Sequence, residues 1–238
     1  EYARNAKMDG KTVEIANIDS LNPVSAHPLA ARDKAAHFIE EDYNLPYRTL
    51  QLFSFASRTQ LHFQNMLEDY SHWDFKKLSA RKKIVRIENV ISIHEGGFDF
   101  HVADMVLDAG ARHASAQEKI TVLRMSCTSE MPPFYLHRTS LADKIKESLG
   151  DKDINFDDKP NFSKRYVLRS FPDQEAAVRT LFHGELIDWL NAHHDVSLIS
   201  NGKAVVLYFE EKLLKIQEIK ELIKEGKELS RLFGEVLV

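Results

Sequence analysis

The 238-residue chain is 43% hydrophobic and 29% charged, and its 32 basic against 36 acidic residues leave a formal charge of −4. Such a chain can bury a proper core and is no disordered polymer, and it has no overall basic field to hold a nucleic-acid backbone, so no nucleic-acid partner is expected. A single cysteine, Cys127, excludes an internal disulfide and any zinc site built from several thiolates.

Residues 1–28 have little apolar periodicity and contain Gly10, Pro23 and Pro28. They read as a linker or arm that docks in part through Val13, Ile15 and Ile18. From Leu29 to Tyr43 the spacing of Leu29, Ala36, Phe38 and Ile39 predicts a helix that stops at Asn44-Leu45-Pro46. The aromatic-rich stretch from Tyr47 to Leu78 fits short strands and a helical turn equally well. Strand periodicity then becomes clear in RIENVISIHEGGFDFHVADM, Arg86 to Met105, two alternating runs about Gly96-Gly97. If those glycines form the turn, residues whose numbers sum to 193 face each other: Ile87, Ile91 and Ile93 meet Val106, Val102 and Phe100, and Asn89 meets Asp104.

A further strand is expected over EKITVLRMSCTSE, and a short one, FYLHR, after Pro132-Pro133. SLADKIKESLG reads as a short helix capped by Ser140 and ended by Gly150. FSKRYVLRS reads as a strand, and DQEAAVRTLF as a helix with Asp173 as its cap, divided by Gly184 from ELIDWLNAHH. Asn201-Gly202 is a strong two-residue hairpin signal, with Val196, Leu198, Val205, Leu207 and Phe209 on one face of its strands. Leu213 to Phe233 is an amphipathic helix whose Lys/Glu run is a solvated face. The resulting fold class is α+β: an antiparallel β-meander with a helix, followed by a strand-helix-hairpin-helix unit. Residues 29–238 are expected to form one soluble domain, divisible at most into 29–150 and 151–238.

Asn89 and Asp104 stand in an apolar sheet face. A buried carboxylate that accepts amide hydrogen bonds can fix strand register without doing chemistry, and this reading is preferred over a pocket lined by Asp104 with His101 or Asp108. His101 has the wrong parity to share a face with Asp104, so a general base and its partner would diverge. By the same register His94 faces Asp99 and His101 faces Ser92 on the outer face, which leaves only a fortuitous surface metal site to consider. His193-His194-Asp195 fits a helix C-terminus. No HExxH, GxSxG, P-loop or GxGxxG motif occurs, and Cys127, beside Leu123 and Met125, reads as an inert buried thiol. The basic run FKKLSARKKIVR after Trp73 reads as a solvated approach to the first strand rather than as a surface for a membrane or an acidic partner.

Several stretches occur together in order: Asn89-Val90-Ile91 before a glycine turn, Asp104, Met131-Pro132-Pro133-Phe134-Tyr135-Leu136, Asp153-Ile154-Asn155-Phe156, and Pro160-Asn161-Phe162-Ser163 with Tyr166. Over residues 75–235 the chain resembles the soluble domain of an uncharacterised family of bacterial proteins, many of which carry predicted transmembrane helices upstream. The resemblance implies a domain on the cytoplasmic side of a membrane, attached through a segment that these residues do not contain; a start at Glu1 rather than Met agrees with a fragment. It brings no catalytic residue with it.

The leading expectation is therefore a non-catalytic cytoplasmic domain that recognises a protein partner or small ligand, with no cofactor and no metal. Asn89, His101 and Asp104 are its candidate ligand-binding residues. The alternative is a small-molecule hydrolase or metal-dependent enzyme using Asp104 and the nearby histidines. A third reading, a homo-oligomerising module, predicts a large symmetric apolar interface through the C-terminal helix.

Overall fold

A computed structural model describes residues 5–8, 11–14, 46–73, 83–95, 98–108, 117–127, 130–139, 153–182, 184–193, 196–209 and 212–236. The expected helices at 29–43 and 140–150 lie outside the described residues. Two short strands, β1 (Asn5–Met8) and β2 (Lys11–Glu14), pair antiparallel within the stretch read as an arm.

The remaining strands form one eight-stranded antiparallel sheet, which bears out the α+β class. They are β3 (His62–Met66), β4 (Ile84–Glu95), β5 (Phe98–Asp108), β6 (Gln117–Ser126), β7 (Phe134–Arg138), β8 (Tyr166–Ser170), β9 (Val196–Ser200) and β10 (Ala204–Phe209). The spatial order is β3-β4-β5-β6-β10-β9-β7-β8. The first four make the expected meander. The β9–β10 hairpin then enters in reverse, with β10 on β6 and β9 on β7. Strands from both halves of the sequence thus share one sheet.

The helices are α1 (Tyr47–Arg58), α2 (Pro160–Arg165), α3 (Glu175–Leu181), α4 (Gly184–Ala192) and α5 (Ile216–Val236). They cover one sheet face, where Ile91, Phe100, Val102, Leu123, Leu198 and Leu207 pack against Leu52 of α1, Phe162 of α2 and Leu222, Leu229 and Phe233 of α5. The opposite face buries Ile87, Val90, Met105, Ile120, Val122 and Val206 with Trp73. β5 and β6 thus bury apolar side chains on both sides, Phe100 and Val102 against Ala103 and Met105 on β5, and Leu123 and Met125 against Ile120 and Val122 on β6.

The stripe Ile219, Leu222, Leu229 and Phe233 seats α5 on the sheet. Glu218 accepts from the Lys215 backbone N–H at 2.8 Å and pairs with Lys212 at 2.7 Å, closing the first turn in the manner of a capping box. Where α5 crosses β6 the helix carries Gly226, and a Cβ there would collide with the Leu123 side chain. Close approach thus accounts for a glycine that costs a helix interior about 1 kcal/mol relative to alanine.

Four local expectations change. The aromatic stretch from Tyr47 holds a full helix, α1, then β3. FSKRYVLRS is not all strand: Pro160 opens the short helix α2, as a missing N–H is no loss at a first helical position, and β8 begins only at Tyr166. Asp173 is not a cap but sits in a 3-10 turn, Pro172–Gln174, ahead of α3. The second hairpin turns about Gly202 and Lys203, one residue later than expected, since Asn201 and Ala204 close it; Gly202 has φ +94° and Asn201 Oδ1 accepts from the Lys203 and Ala204 N–H groups at 3.1 and 3.0 Å.

Candidate functional site

The β4–β5 register decides where the candidate residues stand. The sum-193 pairing holds from Glu95↔Phe98 to Ile91↔Val102, then shifts at a bulge between Glu88 and Ile91. Beyond it Glu88, not Asn89, pairs with Asp104, and Ile87 pairs with Met105 rather than Val106. Ile87 consequently moves to the face opposite Ile91 and Ile93. Asn89 occupies the bulge at φ +57°, a left-handed conformation that asparagine tolerates better than most side chains.

The expected contact survives the wrong register. Asn89 Nδ2 donates to Asp104 Oδ2 at 2.9 Å, and Thr121 Oγ1 donates to Asp104 Oδ1 at 3.0 Å. Arg48 of α1 grips the same carboxylate with both arms, Nε to Oδ2 at 2.6 Å and Nη2 to Oδ1 at 2.7 Å. Its Nη1 also reaches the Leu214 carbonyl at 2.9 Å, and Thr121 Oγ1 accepts the Leu214 N–H at 2.9 Å. Asp104 is 1% exposed. With four donors on two oxygens it has little capacity left for a ligand, and it ties α1, β4, β5, β6 and the approach to α5 together. Arg48 escaped sequence reasoning because it lies 56 residues away in the stretch whose periodicity was least readable. The one signal for it was indirect: a buried carboxylate needs a cation.

His101 lies on the other face of the sheet from Asp104, so these two candidates do not converge. It shares a 3.1 Å hydrogen bond with Ser92, its cross-strand partner, and its Nε2 is 3.6 Å from Asp99 Oδ2. His94 Nδ1 is 2.8 Å from Asp99 Oδ1, and Ser126 Oγ donates to Asp99 Oδ2 at 2.9 Å. Trp73 and Arg124 wall the group, the Trp73 ring 6.3 Å from the imidazole and the guanidinium 5.7 Å from the indole. Burial pushes the His101 imidazole below its ordinary value, with Arg124 and His94 adding to this and Asp99 opposing it. Burial raises the Asp99 carboxyl, but the Ser126 hydroxyl, the two imidazoles and Arg124 outweigh it and hold the group below the usual range. Among the described residues no three His, Cys, Asp or Glu groups are arranged to hold a metal ion.

Trp73 is buried, which removes it as a membrane-surface anchor, and residues 74–82 of the basic run lie outside the described residues. Cys127 is half-buried, its thiol pushed by burial to about 11, so it is not a thiolate near neutral pH. His193 follows the end of α4, its Nδ1 2.8 Å from the Trp189 carbonyl, as a helix C-terminus favours.

A feature that sequence reasoning missed is an open groove of about 360 Å³ between α2 and α4, lined by Asn161, Lys164, Arg165 and Asn191. Arg165 Nη1 donates to the Asn191 carbonyl at 2.7 Å, and the Tyr166 hydroxyl donates to the Leu190 and His193 carbonyls at 3.1 and 2.9 Å. Those bonds cap α4 and hold the groove's walls together. No carboxylate of the described residues pairs with Lys164 or Arg165. Asn191 Oδ1 is buried and has no hydrogen-bond partner. Asn161 belongs to the pattern that carries the family resemblance, and nothing in its spacing distinguishes a groove from a turn.

No protein-family model matches the chain, and no curated protein matches it. Among solved structures, the mycobacterial trehalose monomycolate transport factor A, TtfA, is similar with a TM-score of 0.46 at 13% identity, over 79% of this chain and 93% of that one.

Proposed function

We propose that the chain is a recognition domain that binds a small ligand or a partner's polar group, and that it works on the cytoplasmic side of a membrane to which the full-length protein is attached. The observation that carries the binding role is the α2–α4 groove. Among the described residues its lining is cationic and amide, with no carboxylate, imidazole, hydroxyl or thiol to act as general acid, base or nucleophile. The engaged state of Asp104 supports the same reading, since the carboxylate that an enzyme would need is spent on the fold. Membrane attachment is supported by the family resemblance alone; no helix of the described residues is long and apolar enough to cross a membrane.

Backbone amide shifts, recorded while the 238-residue chain is titrated with a mixed panel of small metabolites and peptides, test the binding role. The expected result is saturable movement confined to 161–165 and 190–193. Movement centred instead on Asp104 or His101, or none with any class of compound, would sink it.

A further inference from the structure

We propose that the free edge of β3 takes the chain's own β1–β2 hairpin as its next two strands. A segment outside the eight-stranded sheet then straps over an edge that a second copy could otherwise join.

The backbone of β3 supplies one half of the contact. β3 ends the sheet: it pairs with β4 on one side, and no strand of the described residues pairs with the other. The Leu67 N–H donates to the Ile87 carbonyl at 3.0 Å, so Leu67 turns its backbone groups toward β4. Along a continuous strand these directions alternate, which aims Phe63 at β4 as well and sends the N–H and C=O of Gln64 and Met66 off the sheet. Gln64 Nε2 donates to the Met66 carbonyl at 3.0 Å, in keeping with a carbonyl on the open side, and Met66 is 50% exposed. Phe63 is held against Phe53 of α1, ring centroids 5.6 Å apart, so the strand is not free to roll and hide this row.

The hairpin supplies the other half. Met8 pairs with Lys11 across two intervening residues, and Ala6 with Val13, so these are the pairs that exchange hydrogen bonds. Asn5 and Lys7 alternate with them and point their backbone N–H and C=O groups away from β2. β1 lies beside β3, with Cα atoms of the two within 8 Å. Paired strands stand about 5 Å apart, so the hairpin is within a few ångströms of joining the ladder.

Two considerations choose this occupant over a second copy. A lone two-stranded hairpin is marginal in water and gains stability from a third strand, which β3 offers. The tether also keeps the hairpin at the edge at any protein concentration, whereas a second copy must be captured from solution. Bare edges invite edge-to-edge association, and a strap of this kind closes one.

Hydrogen exchange at single amides of the 238-residue chain tests the docking, with Lys7→Pro and Asn5→Pro as variants. Each proline removes an N–H aimed away from β2 and leaves the hairpin's own bonds in place, the kind of strand position that tolerates it. In the parent the Gln64 and Met66 amides should exchange about tenfold or more slowly than in Lys7→Pro, and Asn5→Pro should act in the same direction. The Phe63 and Leu67 amides, turned toward β4, should exchange alike in all three proteins and report that the sheet is intact. Equal exchange at Gln64 and Met66 in the parent and Lys7→Pro, whether fast or slow, would overturn the proposal. So would protection that rises with protein concentration in a chain that sediments as a dimer, which would give the edge to a second copy.

Discussion

Asp104 and Asp99 stand five residues apart on β5 and face opposite sides of the sheet. Asp104 is sealed under α1 by a guanidinium, an amide and a hydroxyl, none of which changes charge near neutral pH. Asp99 is held by Ser126 and two imidazoles on a half-open surface. Identical side chains thus do different work: one ties helix to sheet, and the other belongs to a cluster that includes the titrating imidazole of His101. Burial is not what separates a structural from a responsive carboxylate; the titration behaviour of its partners is.

The strongest test of that contrast is Asp104→Ala. It strands Arg48, Asn89 and Thr121 together and should cost about 3–5 kcal/mol in urea unfolding, as expected when one partner of a buried pair is removed. A cost below about 0.5 kcal/mol would put Asp104 among inert surface positions. A double-mutant cycle with Arg48→Met should show strong coupling between the two sites. Next in size is the bulge. Asn89→Ala loses a donor to Asp104 and forces alanine into a left-handed conformation, for about 1–3 kcal/mol. Asn89→Gly relieves the backbone but not the lost bond and should fall between alanine and the wild type.

On the Asp99 side the expected effects are smaller and depend on pH. His101 has a folded value below its ordinary 6.5, so between those two values the unfolded chain binds a proton that the folded chain does not. Stability should therefore fall as pH drops from 6.5 and level off beneath the folded value. His101→Gln should flatten this decline, and Asp99→Asn should steepen it, because Asp99 works to keep the imidazole protonated. His72 is also lowered by burial and contributes in the same direction, so His72→Gln is the necessary control. The smallest signal is optical. With Trp189→Phe removing the other indole and His72→Gln the imidazole 6.3 Å away on its own turn, Trp73 emission should change over this window and become level once His101→Gln is added.

The alternating runs about Gly96-Gly97, the hairpin strands near Asn201 and the stripe of α5 were legible because each is decided by neighbours in sequence. The Asn89–Asp104 contact was legible too, although for an incomplete reason. A bulge moves Asn89 out of direct register, yet its amide reaches the carboxylate from the inserted position. Arg48, the seating of β10 on β6, and the α2–α4 groove depend on residues brought together from distant parts of the chain, and local periodicity has no term for them.

The strand order also governs how the chain is made. The meander emerges from the ribosome first, but β6 must wait with one edge bare until β10, the last strand of the described residues, reaches it, and β7 must wait for β9. Such an unpaired apolar edge is a template for another chain during synthesis, so the nascent protein passes through a sticky stage that ends only when the late hairpin slots into the middle of the sheet.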